Sequence, residues 1–172
     1  MHAHFQLFAR YNAWANSRLY AAAAALTDAQ YRADRGAFFK SVHGTLNHLL
    51  ATDRIWFQRI TGNAATGPVP DRLDAILCDD LTALHAARVA EDARITACVD
   101  TLDAAALAAS ISYTRVSSPE PVTQQLGAAL AHVFNHQTHH RGQAHAVLTG
   151  LVGTAPELDL LFYQRLVEAG QA

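Results

Sequence analysis

The chain has 172 residues, of which 51% are hydrophobic and 16% are charged, and its formal net charge is −2 at neutral pH. So much hydrophobic content with so little charge excludes an intrinsically disordered chain, and the length is that of one ordinary domain, residues 1–172. The lack of a basic excess argues against nucleic acid as a partner. Few charges leave apolar surface to cover, which favours a homo-oligomer.

The N-terminal segment lacks the charged and apolar regions of a signal peptide, and no apolar run reaches the length of a membrane span. We therefore expect a cytoplasmic protein with no membrane partner. Cys78 and Cys98 are expected on one helix, roughly 30 Å apart at 1.5 Å per residue. That distance excludes a disulfide between them, so we expect two unreactive thiols.

Apolar residues recur at helical spacing along most of the chain, and turn-forming residues interrupt them. The first predicted elements are a helix over residues 4–26, a short capped turn from Thr27 and Gln30 to Arg35-Gly36, and a helix from Ser41 to Thr61 that stops at Gly62. A loop over 62–70 and a helix over 71–102 follow. The chain then continues with a strand and turn over 110–122, a helix from Thr123 to Gly150, and a C-terminal helix preceded by a capping-box pair at Thr154 and Glu157.

Four long helices with one long crossover predict an all-α protein, specifically a four-helix bundle. The alternating pattern of residues 110–122 predicts a short hairpin-like segment before the last long helix. A short C-terminal helix completes the predicted fold.

Five of the ten histidines lie between residues 132 and 145. On a helix, four of them share a face about 100° wide with one amide: His132, His136, His139, His140 and Gln143. His145 falls on the opposite side. Because neighbouring imidazolium charges repel and buried imidazoles need partners, this face is typical of a divalent metal site.

Two histidines four residues apart can hold one metal ion. Spacing leaves two pairs open, His132 with His136 or His136 with His140. The third ligand must come from a facing helix, and the candidates are His43, His48 and His85.

Four blocks of the sequence resemble the DinB-like family of small metal-binding four-helix-bundle proteins: YNAWAN at 11–16, HGTLNHLLATDRIWFQRI at 43–60, HVFNHQTHHRGQ at 132–143 and LDLLFYQ at 158–164. The resemblance implies that His48, His136 and His140 bind a divalent metal ion. Zinc and nickel are the metals it favours, with iron and manganese as alternatives. It also implies a homodimer.

Family resemblance further implies a metal-dependent enzyme, either a transferase or a hydrolase. The favoured reaction is S-transfer to a small-molecule substrate with a low-molecular-weight thiol. Three histidines leave an open coordination position, where a bound water is activated. We expect His132, His139 and Gln143 to tune the metal or to carry protons. The alternatives are a non-catalytic metal-binding stress-response protein and a bundle whose histidines are merely buried.

Other residues carry secondary expectations. Asn47, Asn135 and Gln143 are candidate acceptors for the second ring nitrogen of a ligand. Arg141 is expected at the surface or an interface, Asp53 and Arg59 are expected to form a solvated or interface pair, and Gly142 permits the close approach of another helix. Tyr11, Trp14 and Trp56 are expected in the core. Ser117-Ser118-Pro119-Glu120-Pro121 replaces a glycine turn that is common in the family.

Overall fold

A computed structural model describes residues 1–62, 66–116 and 118–171, which are mostly helical with one small sheet. The helices and strands are α1 (His2–Ala23), α2 (Asp28–Arg32), α3 (Val42–Thr61), α4 (Leu81–Asp100), α5 (Ala104–Ala108), β1 (Ser110–Arg115), β2 (Ser118–Gln125), α6 (Leu126–Val152) and α7 (Leu160–Glu168).

Helices α2 and α3 follow the predicted capping signals. Thr27 and Gln30 form both hydrogen bonds of a capping box at the start of α2, which satisfies two backbone N–H groups that the helix itself leaves free. The Ser41 hydroxyl accepts a hydrogen bond from the Gly44 N–H at 3.0 Å and begins α3. Gly62 ends α3 with φ at 64°, a conformation that favours glycine.

The predicted helix over 71–102 is wrong in its first ten residues, because α4 begins at Leu81. The Asn47 carboxamide oxygen accepts hydrogen bonds from the N–H groups of Leu77 and Cys78, at 2.8 and 3.0 Å. These bonds hold the segment before α4 as a loop across α3. Asp80 then caps the helix by accepting from the Ala83 N–H. Cys78 and Cys98 therefore do not share a helix, although both are free thiols.

The hairpin prediction is confirmed, since β1 and β2 pair antiparallel with Tyr113 opposite Val122. Ser117, the start of the predicted turn sequence, lies outside the described residues. Strand β2 extends to Gln125, so α6 begins at Leu126 rather than at Thr123. No helix begins at Thr154, because Asp159 is the residue that caps α7.

The four long helices pack in a ring: α1 contacts α4 and α6, and α3 contacts the same two helices. Two apolar clusters fill the interior, one around Leu19, Leu46, Leu50, Leu84 and Leu148, the other around Phe5, Phe57, Ile95, Leu130 and Phe134. On each long helix, buried polar residues lie between these clusters. In the described part of the chain, no helix has the length and apolar character needed to cross a membrane.

Candidate metal centre

Three histidines converge where α3 faces α6. His48 comes from α3, and His136 and His140 come from successive turns of α6. One ring nitrogen from each lies within 4.8 Å of the other two, and the Nε2 atoms of His48 and His136 are 3.2 Å apart. Nitrogens bound to a tetrahedral zinc ion at 2.0–2.1 Å lie about 3.4 Å apart. The spacing therefore fits a metal ion shared by three imidazoles.

The His48 ring is fixed by a backbone carbonyl. Its Nδ1 lies 2.6 Å from the carbonyl oxygen of Leu73, in the loop before α4. A carbonyl oxygen can only accept, so Nδ1 carries the proton and the Nε2 of the neutral ring keeps its lone pair. The Phe39 ring stacks on His48 with 3.6 Å between ring centres. Gly44 permits this placement, because a Cβ there would collide with the Phe39 carbonyl.

The His140 ring is fixed by a side chain of its own helix. Its Nδ1 donates to the Gln143 carboxamide oxygen at 2.7 Å, which leaves Nε2 free for a metal. The amide nitrogen of Gln143 lies 3.2 Å from the Nε2 of His139. Gln143 thus takes the expected acceptor role. Asn47 instead holds the loop that carries Leu73, and Asn135 is exposed.

Burial keeps the clustered imidazoles neutral. It lowers the pKa of His136 to about 3, with the neighbouring histidines adding to the shift, and it lowers the pKa of His48 to about 4. The pKa of His140 is also lowered by burial. The Nδ1–H groups of His48 and His140 are already bonded, so their Nε2 lone pairs remain available to a cation. The donor set fits a divalent metal ion.

The remaining histidines lie elsewhere. His43 packs edge-on against Tyr31, and His85 stacks on Tyr20, so neither joins the cluster. His132 lies 5.7 Å from His136 between ring centres, and His145 contacts the Pro156 carbonyl instead. Of the two open pairs, the structure thus brings His136 and His140 together with His48, the set that the resemblance implies. Metal ligation by this set stays a prediction.

A cavity of about 440 Å³ opens beside the cluster, and His136 forms part of its wall. Its other lining residues include Trp56, Arg59, Tyr113, Arg115 and His132. Trp56 was expected in the core; it packs half-buried against the second apolar cluster and also forms part of this wall. Trp14 and Tyr11 pack together with Tyr163, as core residues do. The hairpin supplies Tyr113 and Arg115, so it forms one side of the cavity.

Three sequence expectations about charged and small residues are wrong. Asp53 is 1% exposed and accepts a hydrogen bond from Arg88 at 2.8 Å, so it does not pair with Arg59 in solvent. Arg141 is 2% exposed and donates to the Asn12 side chain. On a helical wheel Arg141 points away from His136, but in the fold that side of α6 packs against α1 rather than facing solvent. A Cβ on Gly142 would meet no atom of the described residues within 4 Å, so none of the described helices approaches closely there.

Sequence reasoning missed two groups that position the centre. The Leu73 carbonyl was hidden inside a predicted helix, and Phe39 was not singled out. Asp80 was the available signal, because aspartate at an N-cap would have moved the start of α4 beyond Leu73.

The fold and the cluster define a helical protein with a three-histidine site suited to a divalent metal ion. The profile of the DinB family matches residues 1–171. The chain therefore belongs to the DinB family, as the sequence blocks predicted. No curated protein and no solved structure matches it.

Proposed function

We propose that this protein is a metal-dependent S-transferase that joins a low-molecular-weight thiol to a small electrophilic substrate. His48, His136 and His140 would hold the metal ion, with zinc or nickel favoured over iron or manganese. One observation carries the proposal: His136 belongs both to the convergent histidine cluster and to the wall of a cavity large enough for a small molecule. A metal site that opens into a cavity is typical of catalysis rather than of a structural role.

A divalent ion bound by three neutral imidazoles keeps its full charge, so it can activate a thiol or polarise an electrophile. The protein's own groups position the metal ligands. The Leu73 carbonyl and the Gln143 carboxamide hold the ligand rings in place. In the reaction, the thiol loses its proton, a bond forms from its sulfur to the electrophilic carbon, and the leaving group departs with the bonding electrons.

His132 is the residue best placed to accept the thiol proton. Its ring lies in the cavity wall, 5.0 Å from the Trp56 ring and 5.7 Å from His136. His132 is exposed, and partial desolvation of its ring lowers its pKa, which favours the neutral form that can accept a proton. His139 is exposed and contacts the centre through Gln143, which fits a tuning role.

The wider setting of the protein is also a proposal. The ring of four long helices fits a four-helix bundle that forms one domain over residues 1–172. The low charge content favours a homodimer, and we place the protein in the cytoplasm.

The proposal is tested by measuring turnover with a panel of small thiols and electrophiles, using zinc-loaded, nickel-loaded and metal-stripped protein. We expect turnover only with metal, none in His136→Ala, and a loss in His132→Ala despite a full metal content. Arg10→Gln, far from the cavity, is the matched control. Equal rates with and without metal would contradict the proposal. Metal binding without any turnover would instead favour a non-catalytic metal-binding stress-response protein.

A further inference from the structure

The cavity beside the histidines carries positive charge that no carboxylate neutralises within the described part of the chain. Its lining includes Arg59 and Arg115 but no aspartate or glutamate. Across the described residues, the ion pairs involve other cations, and neither of these guanidinium groups takes part. An unpaired cation in a concave site favours an anionic ligand.

Arg59 is held in place by two aromatic rings. Its guanidinium carbon lies 4.5 Å from the centre of the Tyr113 ring and 5.0 Å from that of Trp56. One Nη2–H donates to the Thr114 carbonyl oxygen at 2.8 Å, which ties the guanidinium to β1. Partial burial lowers the pKa of Arg59, but an arginine remains charged at neutral pH. A guanidinium has five N–H donors, so others remain available for a ligand.

Two aromatic rings lie beside the Arg59 guanidinium. Trp56 and Tyr113 meet edge to face, with 5.0 Å between ring centres. The same cavity is lined by apolar Ile55, Leu73 and Val116 and by polar Thr52 and Gln124. A planar carboxylate matches the paired donors of a guanidinium, and the rings offer contact area to a flat apolar group beside it.

We propose that Arg59, Trp56 and Tyr113 form a binding subsite for small carboxylates that carry an aromatic or other flat apolar group. The subsite would select ligands by charge, because a neutral analogue leaves the desolvated guanidinium without its anion. That the bound carboxylate is a substrate rests on the proposed function, since His136 lines the same cavity. The binding itself does not require the metal.

Two probes of nearly equal shape test the subsite, phenylacetate and phenylacetamide. Each is titrated by calorimetry into the full-length protein, once stripped of metal by a chelator and once loaded with zinc. We expect the wild type to prefer phenylacetate by about tenfold or more. Arg59→Gln should lose this preference in both forms of the protein. Arg59→Lys, which keeps the charge but not the paired donors, should retain part of it.

Arg10→Gln is the matched control, because Arg10 is exposed and does not line the cavity; it should keep the preference. Circular dichroism and metal content of every variant confirm an intact protein. Equal binding of the two probes by the wild type, or a preference that survives Arg59→Gln, would overturn the subsite. Failure of the protein to take up zinc would contradict the proposed function instead, since the stripped protein reports on the subsite alone.

Discussion

Two of the polar clusters in the interior accommodate buried polar groups in different ways. Between the apolar clusters, the Arg88 guanidinium lies 2.8 Å from Asp53 and 2.9 Å from Asp92. Asp92 also accepts hydrogen bonds from the Asn12 and Asn16 amides, and Arg141 donates to the oxygen of the same Asn12. We call this set the charge network. It comprises Asp53, Arg88, Asp92, Asn12, Asn16 and Arg141.

The formal charges of the charge network balance. It contains two carboxylates and two guanidinium groups, Arg88 pairs with both carboxylates, and the amides connect the rest. Burial raises the pKa of Asp53 to about 6, and the adjacent Arg88 opposes that shift, so Asp53 is ionised at neutral pH.

The histidine cluster, in contrast, brings three neutral rings together and contains no charged partner. Its rings are neutral, and the second nitrogens of His48 and His140 are already bonded to Leu73 and Gln143. The difference separates a buried polar group that pairs its own charges from one whose nitrogens could hold a cation. The first is expected to stabilise the fold, and the second to bind a ligand.

The largest effect is expected from breaking the network. Arg88→Met should lower the free energy of unfolding by about 3–5 kcal/mol, because Asp53 and Asp92 would remain buried without their cation. Urea unfolding measures the change. Arg10→Met removes an exposed partner of Asp100 and should change stability little. A small effect of Arg88→Met would show that the network does not hold the core.

The next largest effect is the stabilisation by added zinc, which should depend on the histidine cluster and not on the charge network. Free zinc at about one hundred times its Kd should stabilise the wild type by roughly 2.7 kcal/mol, since it binds only the folded state. His136→Ala should lose this increment, while Arg88→Met should keep it despite its lower baseline. Urea unfolding with and without zinc gives both numbers. Equal stabilisation of the wild type and His136→Ala would place the zinc elsewhere.

A smaller effect tests the support of His140. Gln143→Leu removes the acceptor of the Nδ1–H, and we expect zinc affinity to fall by about 10- to 100-fold. His139→Ala removes a ring that contacts the centre through Gln143 and should weaken binding less. Competition with a chromogenic chelator measures both affinities. A larger loss of zinc affinity in His139→Ala than in Gln143→Leu would show that His139, rather than Gln143, supports the centre.

The smallest effect is expected from the thiols. Burial raises the pKa of Cys98, which makes it a poor metal ligand at neutral pH. The double variant Cys78→Ser/Cys98→Ser should therefore retain both its zinc content and its unfolding midpoint. A loss of zinc in this variant would contradict a centre built from histidines alone.

The parts of the fold that local signals determine were predictable. Helix caps at Thr27 and Ser41 and the glycine at Gly62 act within a few residues, so the sequence locates α2 and α3 closely. The stripe of histidines on α6 follows from helical periodicity alone. The choice of His48 over His43 and His85 came from the family resemblance, because spacing within one helix cannot identify a partner on another.

The parts that depend on long-range contacts were not predictable. Asn47 holds a loop thirty residues further along the chain, so the apolar spacing of residues 71–80 was mistaken for helix. Asp53 and Arg141 carry charge, which normally indicates surface. Their burial depends on Arg88 and Asn12 from other helices, and no local pattern shows that pairing.

The most direct test of the account is the metal content per chain of untagged protein, measured by plasma mass spectrometry. The wild type should hold close to one equivalent of zinc or nickel, and His136→Ala should hold none. His145→Ala is the matched control on the opposite face of α6 and should match the wild type. A wild type that takes up neither metal, or a His136→Ala variant that keeps its metal, would contradict the claim that His48, His136 and His140 form a metal centre.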